Sequence, residues 1–233
     1  MNFRHFVFRE KNAHFIYMQK VTLPGRTNQI CWNPRRPFTF TCANEDHNLY
    51  TFDMRYLDKA NGVHHDFLSS VMTVDYSPTG REFVAGGYDM TVRIFDPRQS
   101  TSREVYHTRR MNRVFCTLYS SDANYVLSGS DDSNIRVWKS EASKSVALHN
   151  PRIRAQAEYR DKLKTKYGHL PAIRRIARHR HVPLNIYNAR NKKSTMLAAS
   201  RLKAQRIKLH RKPGTILDSD RHPKERAVEG VED

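Results

Sequence analysis

Residues 174–187, RRIARHRHVPLNIY, place six basic or imidazole side chains within eight positions, followed by a proline and an aromatic. Three chemistries suit such a run: a grip on a phosphate backbone, a metal site on His179 and His181, or a solvated charged face. The metal reading fails on geometry. Side chains two positions apart on a helix point about 200° apart. Arginines also flank both imidazoles, and no cysteine lies nearby to complete a ligand set. Elsewhere there is no phosphate-binding glycine loop, nucleophile elbow or paired-carboxylate motif. The chain is therefore read as non-enzymatic, with no cofactor and no metal.

The charge around this run points to a polyanionic partner. Lys and Arg number 41 against 23 Asp and Glu, a formal net charge of +18, which selects for RNA, DNA or acidic protein surfaces. It is unevenly placed. Residues 1–139 hold 18 basic and 14 acidic side chains, and residues 140–233 hold 23 and 9. Positions 162–217 carry 16 Lys/Arg and no acid. Such a segment repels itself unless a polyanion screens it, so it is expected to become well ordered on a partner. Cys31, Cys42 and Cys116 show no paired spacing, and with no apolar run long enough for a signal peptide or membrane span the reading is a soluble intracellular protein.

The first half repeats. Phe52-Asp53, Phe95-Asp96 and Trp138-Lys139 stand 43 residues apart, and Asp46, Asp89 and Asp132 keep the same spacing. Around them ANEDHNLYTFD, GGYDMTVRIFD and GSDDSNIRVWK align. Within the second unit, Val71 to Tyr76 alternates like a half-buried strand and Ser77-Pro78-Thr79-Gly80 is a turn. Phe83–Ala85 and Thr91–Phe95 add two more strands. Four short strands in 40–45 residues are the signature of a propeller blade. The expected fold is mainly β with an α C-terminal extension: about three blades of a partial propeller, then basic helices. A ring needs about four to eight blades, so the sequence reads as part of a larger propeller protein.

Ser130-x-Asp132-x-Asn134-Ile135-Arg136-Val137-Trp138 resembles the end of a WD repeat. The resemblance implies a buried hydrogen-bonded set of His107, Ser128, Asp132 and Trp138 in the third unit. His107, Ser128 and Asp132 are thus read as holding a blade together, not as a catalytic trio. The other two units lack complete sets.

Asp53-Met54-Arg55 and Asp96-Pro97-Arg98 repeat a D-x-R pair 43 residues apart. These pairs resemble the motif by which WD-repeat substrate receptors dock the adaptor of cullin-4 ubiquitin ligases. The competing reading is a local salt bridge closing each turn. Both stand at this stage.

In the second half, Asn150-Pro151 opens a helix over 151–167. A shorter helix follows Leu170-Pro171, with Ile173, Ile176 and Ala177 as its docking stripe. A third is expected over about 194–211, and an acidic tail over 218–233 is expected to be disordered. The stretch from LHNPRIRAQAEYR through RRIARHRHVP to KLHRKPGT resembles the C-terminal domain of the Sof (Sof-one-like) family, which follows a WD-repeat propeller. The resemblance implies a factor of the nucleolar small-subunit processome, which assembles on precursor ribosomal RNA with a box C/D small nucleolar RNP. It also implies a cullin-4-associated role in animals. The domains are then 1–27, a segment able to supply an outer strand of a missing blade; 28–139, three repeats; 140–217, a basic helical Sof-type domain; and 218–233, the tail. Residues expected to contact RNA or RNP are Arg174, Arg175, Arg178 and Arg180, then Lys192, Lys193, Arg201, Lys203 and Arg206. Asp53, Arg55, Asp96 and Arg98 are the expected adaptor-docking set.

Overall fold

The structure is a computed structural model that describes residues 19–143, 150–212 and 221–232. The first 18 residues of the expected N-terminal strand segment, and 213–220 of the helical domain and tail, lie outside them. Alternating apolar residues build three antiparallel sheets. The first orders β2 (Thr27–Trp32), β3 (Thr39–Asn44), β4 (Leu49–Asp53) and β5 (Gly62–His64). The second orders β6 (Val71–Tyr76), β7 (Phe83–Gly87), β8 (Val92–Phe95) and β9 (Glu104–Tyr106). Among the described residues, a third has β10 (Val114–Tyr119), β11 (Tyr125–Ser130) and β12 (Ile135–Lys139). These are the three blades, in sequence order, and they form part of a propeller rather than a closed ring.

The 43-residue repeat is visible as a repeated physical device. His47, Met90 and Ser133 all adopt left-handed backbone, with φ of 71°, 59° and 59°. Each follows the aspartate of its turn, whose carboxylate ties the turn down. Asp46 accepts from the backbone of Asn48 at 3.1 Å, and Asp89 accepts from that of Thr91 at 3.2 Å. Four residues after each aspartate a long polar side chain returns to it: Tyr50 to Asp46, Arg93 to Asp89 at 3.1 Å, and Arg136 to Asp132. The short Asx turn offsets the left-handed strain.

Adjacent blades meet face to face. Between the first and second lie Leu49, Phe67, Val71, Val74, Phe83 and Phe95, and between the second and third lie Val84, Ile94, Met111, Val114 and Val126. Polar bonds also cross these seams. Val74 N donates to Gln29 Oε1 at 3.1 Å, and Tyr119 N donates to Asp75 Oδ2 at 2.7 Å. Beyond the third blade the repeat leaves an uncovered apolar face. Leu118, Leu127 and Val137 pair across its strands, and Ile135 and Val137 are 79% and 62% exposed. This is the face on which the next blade of a ring would pack.

Two expectations fail here. The acidic tail is not disordered over 221–232. It forms a helical turn, α4 (Pro223–Arg226), and a strand, β13 (Gly230–Glu232), that pairs antiparallel with β1 (Lys20–Thr22). Ala227 and Val228 supply the reason, since they bury against Val21, Phe52, Leu57 and Val63 on the outer side of the first blade. The third helix, α3 (Leu184–His210), also starts ten residues before the expected 194. The first two helices, α1 (Pro151–Tyr167) and α2 (Pro171–Ala177), form where read, and Asn150 caps the first by accepting from Arg152 N at 3.0 Å.

His64 gives the blades a pH dependence. It is 1% exposed, held by Thr51 at 3.1 Å and by the Gln99 carbonyl at 2.7 Å. Burial pushes its pKa from 6.5 down to about 4. The fold keeps the ring neutral while an unfolded chain protonates it, so stability is full above pH 6.5 and falls as pH drops towards 4. The total loss is about 3 kcal/mol. Urea denaturation at pH 7 and pH 4.5 is expected to show this loss, and His64→Gln should reduce the difference. An unchanged difference in His64→Gln would assign it to other groups.

Candidate docking and polyanion-binding surfaces

A buried carboxylate joins the two halves of the molecule. The side chain of Asp66 is fully enclosed and accepts from Ser102 N at 2.7 Å and Ser102 Oγ at 2.5 Å. Arg93, itself buried over the Phe67 ring, lies 3.8 Å from Asp66 and bonds Asp89. Two arginines of the helical extension then reach the same carboxylate, Arg180 at 3.1 Å and Arg190 at 3.4 Å. Beside them Lys193 Nζ donates to the Phe67 carbonyl at 3.2 Å. Three guanidinium groups around two buried carboxylates, Asp66 and Asp89, make a pairing in which each charge depends on the others.

The RRIARHRH run performs this docking. Helix α2 ends as His179 takes left-handed backbone at φ 44°, which turns the chain outwards. The next residues run along the edge of the second blade. Val105 N of β9 donates to the His179 carbonyl at 3.1 Å, and the His179 ring packs on Tyr106 at 5.0 Å. His181 lies 5.7 Å from His107, whose pKa is lowered by burial first and by His181 second. The imidazoles therefore serve packing, as edge contacts on a sheet. Ile173 and Ala177 turn inwards, but Ile176, read as part of the same stripe, is 75% exposed.

Helix α3 has two distinct sides. Ile186, Arg190 and Lys193, spaced four and three apart, face the blades, with Ala204 further along the same line. Lys192, Lys203, Arg206 and His210 lie about 100–160° round the helix and are exposed. Of the nine predicted contact residues, Arg180 and Lys193 are thus held by the second blade. Burial accordingly lowers the pKa of Lys193. Arg174, Arg175, Arg178, Lys192, Arg201, Lys203 and Arg206 stay exposed.

The D-x-R pairs differ from each other. Arg55 closes on its own Asp53 through two bonds of 3.0 and 2.8 Å and lies over the Phe38 ring at 4.6 Å. Its hydrogen bond to Asp53 holds that carboxyl below the usual range. Arg98 gives only its backbone N to Asp96, at 2.9 Å, and its side chain is exposed. The local salt bridge therefore describes Arg55, and Arg98 is the presented arginine.

The four-residue blade set in the third unit is only partly formed. Trp138 Nε1 donates to Ser128 Oγ at 2.8 Å as the resemblance implies. Asp132 instead pairs with Arg136 and Asn134, and His107 turns to His181. A guanidinium four residues away makes a charge-assisted pair that a neutral imidazole cannot match. Asp66, Arg93 and Arg190 carry the docking and were missed. The Asp–x–x–x–Arg spacing at 89–93 and 132–136 was the available sequence signal.

Blades repeating every 43 residues, with a basic helical extension clamped to one of them, define a WD-repeat propeller protein with an appended helical domain. The family model for the WD domain, G-beta repeat, matches residues 62–96 and 103–139, and that for the Sof1-like domain matches 140–226. The chain thus joins WD repeats to a Sof1-like domain. It is 52% identical over 200 residues to human DDB1- and CUL4-associated factor 13, and 50% over 199 residues to the Xenopus tropicalis protein of that name. Each alignment covers 85% of this chain and 45% of the relative. Protein SOF1 of Saccharomyces cerevisiae is 48% identical over 181 residues, 78% of this chain and 37% of the relative. The chain thus spans less than half the length of these curated relatives.

Proposed function

We infer that the chain acts as a non-enzymatic ribosome-biogenesis factor of the nucleolar small-subunit processome. In this reading the blades are a protein platform and the helical domain meets precursor ribosomal RNA or the box C/D small nucleolar RNP. The likeness to Protein SOF1 and the Sof1-like match support the assignment. The observation that carries the chemistry is the division of α3: one side is fixed to the blade by Arg190 and Lys193, and the other presents Lys192, Lys203 and Arg206 to solvent. Arginines and lysines on a rigid helix contact phosphates, which gives affinity with little base reading. The test is sedimentation of the chain with pre-ribosomal particles from nuclear extract. Comigration that requires Lys192, Lys203 and Arg206 supports the reading, and comigration indifferent to their reversal contradicts it.

A second role is favoured by Arg98 and by the relatives named DDB1- and CUL4-associated factor 13. An arginine free of its own aspartate can form a bidentate pair with a carboxylate on a cullin-4 ligase adaptor. Arg98→Glu is expected to abolish capture of purified DDB1, and Arg55→Glu to weaken it less. Equal loss from both, or from neither, would contradict the distinction between the two pairs.

A further inference from the structure

A pocket of about 690 Å³ opens where the first two blades meet, and four arginines line it: Arg35, Arg36, Arg81 and Arg98. Among the described residues, Asp96 is the one carboxylate in its wall, and none of the lining comes from the helical extension. Among the described residues, no carboxylate pairs with any of these four guanidinium groups. Four like charges around one cavity repel each other, so the fold must impose the arrangement.

It does so through Asn33 and Gly80. Asn33 is buried, and its Oδ1 accepts from the backbone N of Arg35 at 2.9 Å and of Arg36 at 3.2 Å. Its Nδ2 donates to the Gly80 carbonyl at 3.1 Å. One side chain thus clamps the β2–β3 turn of the first blade to the β6–β7 turn of the second. Gly80 sits at φ +62°, and a Cβ there would lie 2.5 Å from Asn33 Oδ1 and 2.6 Å from Arg35 Cβ. Only glycine allows this approach. The clamp sets Arg35 and Arg36 beside Arg81.

We propose that this pocket binds an acidic segment of a protein partner, taking clustered Asp or Glu carboxylates into the arginine forks. Guanidinium groups match planar carboxylates bidentately. The remaining wall includes Thr39, Thr51 and Asn61, neutral hydrogen-bonding groups suited to a peptide backbone. Among the described residues, no aromatic ring lines the pocket for a base to stack on. These features select an acidic peptide over single-stranded RNA.

The experiment is fluorescence anisotropy of a labelled hexaglutamate peptide, and separately of a labelled RNA oligonucleotide, with the full chain at physiological salt. Arg35→Glu with Arg81→Glu should weaken the peptide at least about tenfold, the worth of one charge-assisted hydrogen bond. RNA affinity should change far less. Lys192→Glu with Lys203→Glu and Arg206→Glu should give the reverse pattern, so failure here is distinguishable from failure of the RNA reading. Gly80→Ala keeps every charge but displaces the clamp, and should also weaken the peptide severalfold. Peptide affinity unchanged in the pocket double variant overturns the proposal. So does a loss confined to RNA, and an unaffected Gly80→Ala would show diffuse charge rather than a built site.

Discussion

Asp66→Asn detaches the helical extension from the second blade and destabilises the protein by about 3–5 kcal/mol, the usual cost of removing one partner of a buried ion pair. The size follows from the geometry. Asp66 is fully enclosed and serves Arg93, Arg180 and Arg190 together, so neutralising it leaves three guanidinium groups to the single carboxylate of Asp89. Asparagine keeps the shape, and its oxygen can still accept from Ser102, but its amide nitrogen then turns a donor towards the Arg190 guanidinium in place of an acceptor. Because the variant also weakens the blade, a second one isolates the docking. Arg180→Met with Arg190→Met leaves the Asp66–Arg93–Asp89 set in place. Hydrogen exchange is expected to rise over residues 178–193 in both variants, and over β6–β9 only in Asp66→Asn. Protection of 178–193 that survives both would show that the extension is held by other contacts.

Reversing the outward side of α3, with Lys192→Glu, Lys203→Glu and Arg206→Glu, should cost the largest share of RNA affinity. If the proposed contacts are to phosphates, the loss should be similar for RNAs of different sequence and should flatten the dependence of affinity on salt. For single strands each phosphate contact contributes about 0.7 to that logarithmic slope, and three removed contacts should lower it by about 2. Stability should barely move, because the three side chains are exposed and hold nothing in the fold. A filter-binding salt titration that gives the same slope for the triple variant would place the RNA contact elsewhere. Loss of binding to one RNA sequence alone would mean that bases are read.

Much of the propeller was legible because its signal is local. Asp46, Asp89 and Asp132 at a fixed period each close a turn within two to four residues, and the strands between them alternate apolar and polar. Docking was not legible because its partners are far apart. Asp66 meets Arg180 and Arg190 from 114 and 124 positions away, and nothing near Asp66 marks it as buried. Sequence reasoning therefore gave Arg180 and Lys193 to RNA along with their neighbours, although the blade takes both. The early start of α3 has a related cause. Asn185, Tyr187, Asn188 and Asn191 are poor helix formers, and the expected helix began beyond them. Ile186, Arg190 and Lys193 fall on one side only if these residues are helical, so tertiary docking overrides local preference. The tail was misread for its charge, since the acids conceal Ala227 and Val228, which bury against the first blade.

In the proposed function the basic extension grips the blades with one side and meets RNA with the other. Ultraviolet crosslinking of the full chain in nuclear extract, with mass-spectrometric mapping of the modified residues, reads this directly. Crosslinks to precursor ribosomal RNA are predicted at 174–178 and at Lys192, Lys203 and Arg206, with Arg180, Arg190 and Lys193 protected. Crosslinks to protein alone, or RNA crosslinks concentrated at Arg180, Arg190 and Lys193, would contradict it.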